Sequence, residues 1–426
     1  MSQQVVVIGA GVIGLCAALY TARKGFRVTV IDRESAGHPG TSHGNAGMVV
    51  PSHCTPLAAP GMLPLALRWM LNPESPFSIK LRLSPELFGW CWRFWRASTA
   101  RRVEQAAPVL RDLHLASRVA WNELAAEPDS GFELAEQGLL MLCKTRLALD
   151  HEAGHAELAN RLGVSAQVLD ARQTAALDPG VDLDILGSVY YPRDCHLSPE
   201  RFLAALRRHL AATGIPILWQ TAARGFRTDS ARIRAVITDA GEIEADTVVL
   251  CGGTWSPQMG RELGLCLPMQ AGKGYSLTLP QPRQLPRICS VLAEARVAVT
   301  PIHGTLRVGG TMEIAGLNQR IDPRRIQGIV KALPRYYPAF SARDFAGLEP
   351  WVGLRPVSPD GLPYLGRASR WSNLVVAAGH AMLGLSLAPV TGQVVAALVA
   401  REIPRFDLRL LHPDRYATAA SAIHAR

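Results

Sequence analysis

Three glycines and one acid near the start of the chain are the residues whose types and spacing best define a chemistry. The run Gly9-Ala10-Gly11-Val12-Ile13-Gly14 has the G-x-G-x-x-G spacing, and Asp32 follows after a further apolar segment. The first glycine permits a sharp turn, the second lets the backbone approach a pyrophosphate, and the third lets a helix pack closely on a strand. The Asp32 carboxylate can accept hydrogen bonds from a ribose diol, which disfavours a 2′-phosphate there. The pattern predicts a site for an adenine dinucleotide.

The elements that must position these residues are also visible in the sequence. Residues 5–8 form a short β-branched run typical of a strand, residues 15–22 predict an apolar helix, and residues 28–31 predict a second strand. The N-terminus of that helix would offer unpaired N–H groups and positive potential to phosphates. The run lacks the basic start of a signal peptide and ends at the basic turn Lys24-Gly25. We therefore interpret it as a βαβ unit, not as a signal peptide or a membrane helix.

A second glycine pair repeats this arrangement in the middle of the chain. The apolar residues 245–250 predict a strand that runs directly into Gly252-Gly253 and a helix start. This pair is interpreted as a second close approach of the backbone to the same dinucleotide.

A formal H-E-x-x-H motif, His151-Glu152-Ala153-Gly154-His155, would place two histidines on one helix face at i and i+4. A zinc peptidase would also need an apolar backing for this helix and a third ligand downstream. Gly154 weakens the helix, and the neighbouring Asp150 and Glu157 are acidic. We expect no metal site, and a zinc hydrolase is the alternative that this motif leaves open.

Length, charge and cysteine content restrict the class of protein. The 426 residues suffice for two domains. The net charge of +10 favours acidic partners, such as an anionic cofactor, a carboxylate substrate or an anionic membrane surface. The arginines are dispersed and no nucleic-acid motif is present, so we expect no nucleic-acid partner. The eight cysteines form no C-x-x-C pair, which favours buried, reduced thiols in a cytoplasmic protein over disulfides.

Periodicity predicts the remaining elements and the domain organisation. A loop rich in Gly, Pro, Ser and His over residues 37–60 is long enough to be functional. We expect helices at 103–126, 146–162, 170–177, 199–212 (with Ser198 as N-cap) and 323–334, and strands at 138–143, 215–219, 232–238, 269–279, 288–299 and 305–311. Because signals for the cofactor lie at both ends and in the middle, we expect an α/β chain with a discontinuous cofactor domain (1–60, 160–265 and 345–426). A substrate domain (61–159 and 266–344) would be inserted in pieces.

Four further stretches carry a resemblance to a known family. They are Thr41-Ser42-His43-Gly44-Asn45-Ala46-Gly47, Gly272-Lys273-Gly274-Tyr275-Ser276, Trp351-Val352-Gly353-Leu354-Arg355-Pro356 and Gly379-His380-Ala381-Met382-Leu383-Gly384-Leu385-Ser386. With the N-terminal glycines, these stretches make the chain resemble the FAD-dependent D-amino-acid oxidase superfamily. Within it, the chain is most similar to the bacterial D-amino-acid dehydrogenase branch (small-subunit type), which includes D-proline and hydroxy-D-proline dehydrogenases. The resemblance implies a Rossmann-like, glutathione-reductase-like FAD domain and a mixed-sheet α+β substrate domain.

The resemblance also implies how FAD is held. Some distant relatives attach FAD through a histidine near the first of these stretches, but His43 lies one place away, so we expect non-covalent FAD. Many relatives have Glu where this chain has Asp32, and either acid can hold the ribose. The expected cofactor-binding residues are Gly9, Ala10, Gly11, Val12, Ile13, Gly14, Asp32, Arg33, Ser42, Asn45, Ala46, Gly47, Met48, Gly252, Gly253, Gly379, Leu383, Gly384, Leu385 and Ser386.

Three residues are candidates for holding the substrate. Arg355 matches the carboxylate clamp of the family, and the planar fork of arginine suits a carboxylate best. Tyr275 could donate its hydroxyl to the same carboxylate, although a strand tyrosine is as often a core residue. His53 lies just beyond the flavin loop and could line the pocket, or it could be an ordinary surface residue. We assign no catalytic acid or base, because a substrate amine that loses its proton before binding needs none.

The expected reaction is the oxidative deamination of D-amino acids, including cyclic D-imino acids such as D-proline or cis-4-hydroxy-D-proline. A hydride would pass from Cα to flavin N5, and the electrons would then pass to a quinone or another acceptor. A helix start at Gly384-Leu385-Ser386 could stabilise the charge of the reduced flavin. Sarcosine, glycine or an L-proline-type substrate is an alternative. A further alternative is an FAD-carrying subunit of a multi-subunit dehydrogenase.

The segment 61–102 permits two interpretations. It carries Trp69, Trp90, Trp92 and Trp95 among several arginines, a composition that suits the headgroup layer of an anionic membrane. Peripheral binding to the inner face of the cytoplasmic membrane would fit a quinone acceptor. Alternatively, these helices pack within the substrate domain while their arginines extend to solvent.

Overall fold

A computed structural model describes residues 3–70, 72–80, 82–128 and 130–417. Within these residues the strands are β1 (Gln4–Ile8), β2 (Arg27–Ile31), β3 (Met48–Val49), β4 (Phe77–Ile79), β5 (Leu134–Ala135), β6 (Leu139–Cys143), β7 (Gln167–Asp170), β8 (Gly187–Tyr191), β9 (Cys195–Leu197), β10 (Ile217–Leu218), β11 (Ala223–Asp229), β12 (Arg232–Thr238), β13 (Gly241–Glu244), β14 (Thr247–Leu250), β15 (Gln270–Leu279), β16 (Cys289–Leu292), β17 (Val297–Ile302), β18 (Thr305–Ile314), β19 (Trp351–Val357), β20 (Tyr364–Arg367) and β21 (Leu374–Ala378). The α-helices are α1 (Val12–Arg23), α2 (Met62–Met70), α3 (Pro85–Ala97), α4 (Ala100–Ala125), α5 (Arg146–Arg161), α6 (Ala171–Leu177), α7 (Pro199–Ala212), α8 (Ser256–Glu262), α9 (Pro323–Ala332) and α10 (Ala388–Val399).

The first sheet is the predicted dinucleotide-binding sheet. Its strand order is β10-β2-β1-β14-β21-β20, and all neighbours are parallel except β20 and β21. A parallel sheet must be covered on both faces, which explains why the central residues of β1, β14 and β21 are apolar. Helices α1, α4, α7 and α10 pack on one face, and the small antiparallel sheet β11-β12-β13 lies against the other. The predicted βαβ unit is confirmed.

The second sheet is larger and mixed. Its order is β19-β15-β18-β17-β16-β6-β8-β7, with β4 pairing alongside β18. Most neighbours are antiparallel, but β16 runs parallel to β6 and β4 runs parallel to β18. Strands β7, β8 and β19 belong to this sheet, although residues 167–191 and 351–357 fall in segments that we expected in the cofactor domain.

Most predicted helices agree with the structure to within a few residues. Those at 103–126, 146–162, 170–177 and 199–212 correspond to α4, α5, α6 and α7, and the Ser198 side chain accepts a hydrogen bond from the Arg201 N–H as an N-cap. The helix expected at 323–334 ends at Ala332 and continues as a short 3₁₀ turn. Local capping and periodicity therefore suffice to locate these elements.

Two predictions of local structure were wrong. The strand expected over 288–299 is a hairpin of β16 and β17, because Glu294 turns away to accept hydrogen bonds from the Lys144 and Thr145 N–H groups. The turn contains no glycine or proline, so the sequence shows no break there. The helix expected to start at residues 384–386 begins at Ala388, because the Ser386 carbonyl instead accepts from Ser117 and Trp121 of α4.

The state of the cysteines and the membrane-spanning character of the helices were both predicted from the sequence. All eight cysteines are free, and six of them are buried, as expected. Within the described residues, no helix combines the length and apolar character that a membrane crossing requires.

Candidate active site

One cavity of about 830 Å³ runs between the two large sheets. Its wall includes the loop before α1, the segment 38–57, the central strands of the second sheet and the turn 379–385. The cavity therefore brings together motifs that are separated by hundreds of residues in the chain.

The loop before α1 has the geometry of a phosphate cradle. Gly9 has φ +111°, a conformation that glycine adopts without strain. A Cβ atom on Gly14 would lie 1.8 Å from the Gly9 carbonyl oxygen, so only glycine permits this packing of helix on strand. Gly11 has no side chain to cap α1, and although the Val12 N–H is taken by Ser42 Oγ, the neighbouring Gly11 and Ile13 N–H groups remain available to an anion.

Asp32 is fixed at one end of this cradle. Its carboxylate accepts hydrogen bonds from the Ala10 N–H at 2.6 Å and the Glu34 N–H at 2.9 Å. The next residue, Arg33, stacks on Trp255, with 3.8 Å between its guanidinium carbon and the ring centroid. Arg207 and Trp219 line the same end of the cavity and form a second stacked pair. Trp255, Arg207 and Trp219 have no local pattern that predicts a place at this site, because only folding brings them beside Asp32.

The loop after β2 closes over the cradle. Ser42 Oγ accepts from the Val12 N–H at 3.3 Å, and Asn45 Oδ1 accepts from the Gly47 N–H at 2.9 Å. Arg307 donates to the carbonyl oxygens of His43 and Asn45, at 3.3 and 3.1 Å, and also pairs with Glu200. His43 is not among the residues that line the cavity, and non-covalent attachment of FAD stays a prediction.

The turn before α10 forms the opposite wall. Gly379, Leu383, Gly384 and Leu385 line the cavity, as expected for cofactor-binding residues. Ser386 lies behind this wall, where its Oγ accepts from the Val50 N–H at 3.0 Å and contacts His114 Nδ1 at 3.1 Å. Ser386 therefore joins this turn to the 41–50 loop and to α4.

Arg355 lies in the same cavity on β19. Its guanidinium crosses β15 at Gly274, where a Cβ atom would lie 2.0 Å from Nη1, and it donates to the Thr311 carbonyl oxygen at 2.6 Å. Thr311 has φ +69°, a strained conformation for a β-branched residue. Among the described residues no carboxylate pairs with Arg355, and burial is the cause that lowers its pKa to about 10.

Tyr275 and His53 also line the cavity. The Tyr275 side chain is almost fully buried, and its hydroxyl donates to Glu313 Oε2 at 2.8 Å. Glu313 is in turn 3.3 Å from the Lys273 ammonium. A bond from Tyr275 to a substrate carboxylate would require the Glu313 bond to break, so that role stays a prediction. His53 contacts Ser52 Oγ through Nδ1 at 3.0 Å.

The H-E-x-x-H residues lie at the side of this cavity on α5. Glu152 is buried and lies 3.3 Å from His155 Nδ1 and 3.7 Å from His151 Nδ1, so the three side chains do come together. The Arg296 guanidinium is 3.4 Å from Glu152 and already supplies a positive charge to it. These contacts lower the pKa of Glu152 against the opposing effect of burial.

Comparisons with known proteins identify the class. The model of the FAD dependent oxidoreductase family DAO matches residues 4–398, and the chain belongs to this family. A D-amino acid dehydrogenase of Bradyrhizobium diazoefficiens is 31% identical over 97% of this chain and 99% of its own length. A D-amino acid dehydrogenase of Methylobacterium nodulans is 33% identical over 98% of this chain and 100% of its own length.

Solved structures show the same fold. Glycine oxidase from Geobacillus kaustophilus superposes with a TM-score of 0.78 at 25% identity, over 98% of this chain and 100% of that one. L-proline dehydrogenase from P. horikoshii has a TM-score of 0.73 at 18% identity, over 97% of this chain and 98% of that one. The expected family, fold class and FAD cofactor are confirmed.

The residues present fit FAD. The available Gly11 and Ile13 N–H groups at the start of α1 and the fixed Asp32 suit its pyrophosphate and ribose, and the cavity continues from there to the turn 379–385 and to Arg355. Of the expected cofactor residues, Gly14, Gly47 and Ser386 support the wall from behind, and the others line the cavity.

Replacing Asp32 by alanine should weaken FAD binding about 10- to 100-fold, since each hydrogen bond to a charged group contributes roughly 1.5–3 kcal/mol. Titration of the apoprotein with FAD, followed by quenching of flavin fluorescence, measures this change. Asp229→Ala removes the same charge from the hairpin β11–β12, where Asp229 pairs with Arg234, and should leave the affinity unchanged. Equal affinities of the two variants would contradict the assignment of Asp32.

Proposed function

We propose that this FAD-dependent oxidoreductase oxidises D-amino acids to imino acids, which then hydrolyse, and passes the electrons to an acceptor such as a quinone. Arg355 carries the proposal. It is a half-buried cation without a carboxylate partner among the described residues, and it lies in the cavity that the FAD cradle also lines. Such a cation favours an anionic ligand, because ligand binding supplies the counter-charge that the protein does not. The names of the curated relatives support a D-amino acid as that ligand.

Arg355 is suited to bind and orient the substrate. A guanidinium has five N–H donors, and the Thr311 carbonyl uses only one nitrogen, so the fork can still grip both oxygens of a carboxylate. A carboxylate held at two points fixes the position of Cα, which is the atom that must lose hydride. Bound FAD supplies the two-electron acceptor for this step.

The rest of the wall favours a compact, largely apolar substrate. Met141, Val291 and Ala298, on neighbouring strands of the second sheet, line the cavity on the side of Arg296. A small aliphatic ring would fit such a surface, which supports cyclic D-imino acids such as D-proline and cis-4-hydroxy-D-proline within the proposed class. Glycine, sarcosine and L-proline-type substrates are the alternatives.

An anaerobic screen tests the proposed substrate class. Each D- and L-amino acid, including the proline and hydroxyproline isomers, is mixed with the purified holoprotein, and flavin absorbance is followed. D-isomers should bleach the flavin, whereas their L-isomers, glycine and sarcosine should leave it oxidised. Bleaching by L-isomers alone would overturn the proposal. Bleaching without turnover of an added dye acceptor would favour an FAD-carrying subunit of a larger complex.

Replacing Arg355 by lysine should raise the dissociation constant of the amino acid about 10- to 100-fold, because lysine cannot make the two-pronged contact. FAD affinity should not change. Stopped-flow bleaching at several substrate concentrations gives the dissociation constant. Arg283→Lys, at an exposed ion pair with Asp344, is the matched control. An unchanged dissociation constant in Arg355→Lys would remove Arg355 from the substrate site.

We also propose that α3 docks on an anionic membrane surface. Phe88, Trp92 and Trp95 are more than half exposed and follow the i, i+4, i+7 spacing of one helix face. Arg96 stacks on Trp92 at 4.7 Å and brings positive charge to this face. Trp90 does not contribute, since it is buried and its indole N–H donates to the Val357 carbonyl oxygen. A quinone acceptor in the bilayer would then be within reach of the bound protein.

Flotation with phosphatidylglycerol vesicles tests this docking. The triple variant Phe88→Ser, Trp92→Ser, Trp95→Ser should lose most of its vesicle binding relative to the wild type. The triple variant Leu147→Ser, Val168→Ser, Ile403→Ser removes exposed apolar side chains elsewhere and should bind like the wild type. Equal flotation of both triple variants would contradict the proposal.

A further inference from the structure

A short chain of hydrogen bonds leads from a buried acid to the cavity. Asp194 accepts from the Ser52 N–H at 3.0 Å through Oδ1 and from the Ser52 hydroxyl at 2.5 Å through Oδ2. The same Ser52 hydroxyl contacts His53 Nδ1 at 3.0 Å. Asp194 follows the strand β8, 142 positions from Ser52, so the contact depends on the tertiary fold.

The two ends of this chain have different surroundings. Asp194 is 1% exposed and has no ion pair among the described residues, whereas His53 lines the cavity. Within the described part of the chain, no group forms a hydrogen bond with His53 Nε2. That nitrogen is therefore available to a ligand in the cavity, while Nδ1 is held by Ser52.

The donors and acceptors in this chain fix the tautomer of His53. An ionised carboxylate can only accept, so the single hydroxyl proton of Ser52 must point to Asp194. Ser52 Oγ can then only accept from His53, which places the imidazole proton on Nδ1. His53 Nε2 is left as a lone-pair acceptor in the cavity.

We infer that Asp194, through Ser52, is a positioning residue that holds His53 in the tautomer whose Nε2 accepts a hydrogen bond from the amino or imino nitrogen of the substrate. This inference rests on the proposed function, because it requires an amine-bearing substrate in the cavity. Arg355 binds the carboxylate and His53 binds the nitrogen, so the two groups bonded to Cα are both held.

Protonation of Asp194 would reverse this arrangement. A protonated Oδ2 donates to Ser52 Oγ, the Ser52 hydroxyl then donates to His53 Nδ1, and the imidazole proton moves to Nε2. In this state Nε2 is a donor and can bond only the lone pair of the neutral amine, the electron pair that must form the C=N bond as hydride leaves Cα, so kcat/KM falls. Burial raises the pKa of Asp194 to about 7, so both states lie near neutral pH. Burial also lowers the pKa of His53 to about 4, which keeps its ring neutral there.

Other charged groups face this chain from each neighbouring element. Glu152 and His155 of α5 and Arg296 of the β16–β17 turn act on His53, and His53 in turn lowers the pKa of His114 of α4. Arg118 of α4 acts on Asp194 and slightly opposes the effect of burial on its pKa. Asp194 in turn raises the pKa values of the buried groups Cys54, Tyr191, Cys195 and Cys289.

The near-isosteric variant Asp194→Asn gives the sharpest test. The asparagine oxygen can still accept from the Ser52 N–H, but its NH₂ group donates to Ser52 Oγ and so imitates the protonated acid at every pH. Its kcat/KM should fall by about 10-fold or more at about pH 9, because the hydrogen bond from Nε2–H to the amine lone pair must break before hydride transfer. Wild-type kcat/KM should rise through about pH 7 as Asp194 ionises, and Ser52→Ala should lack that step. Glu152→Gln and His155→Gln should retain it.

A measurement without substrate separates this inference from the proposed function. ¹⁵N NMR of the histidine-labelled holoprotein reports the tautomer of each imidazole, and the variant His53→Asn identifies the His53 signal. At about pH 9 we expect the proton on Nδ1 in the wild type and on Nε2 in Asp194→Asn. The same tautomer in both proteins, or a wild-type pH step in Ser52→Ala, would overturn the inference. If the tautomers of the wild type and Asp194→Asn differ as expected but no amine reduces the flavin, the proposed function is wrong. The control of the His53 tautomer by Asp194 is then still supported.

Discussion

A guanidinium set in the cavity wall, half-buried and without a carboxylate partner among the described residues, is the constraint on which the active site depends. Burying a charge is costly unless an opposite charge accompanies it. Arg355 has only the Thr311 carbonyl oxygen as a partner among the described residues, and the lowered pKa of Arg355 reflects that burial. In the ligand-free protein the unfavourable desolvation energy of the Arg355 charge is not compensated. The negative charge of a bound anionic substrate offsets it. The strained backbone of Thr311 is part of the same arrangement, because it directs the carbonyl oxygen at the guanidinium.

The interleaved order of the two domains follows from the need to surround one cavity. Strand β19 carries Arg355 in the second sheet, and a few residues later β20 and β21 join the cofactor sheet and lead to the turn 379–385. The ion pair of Asp360 with Arg415, both buried, anchors the connection between β19 and β20. A single short segment thus fixes the distance between the carboxylate clamp and the wall expected at the flavin. The α5 cluster of His151, Glu152 and His155 borders the cavity without taking a role in this arrangement.

Local sequence patterns predict the cofactor site better than the substrate site. The βαβ unit could be predicted, because its turn, helix start and acid are set by contacts between near neighbours. The pairing of Ser52 with Asp194 could not, since neither residue has a local pattern and only the packing of the 41–54 loop on β9 brings them together. The same holds for Thr311: the preceding Gly309-Gly310 pair indicates an irregular strand, but no local pattern indicates that Thr311 takes the positive φ. The late start of α10 was missed because the hydrogen bonds of Ser386 with α4 are also long-range.

The central claim is that the carboxylate clamp and the flavin share one cavity. Titration of the holoprotein with a planar carboxylate that cannot be oxidised, such as pyrrole-2-carboxylate, tests this claim directly through the visible spectrum of the flavin. The account predicts a saturable change in the flavin bands that is abolished in Arg355→Met. A protein that binds no FAD, or a flavin spectrum that stays unchanged at saturating carboxylate, would contradict it.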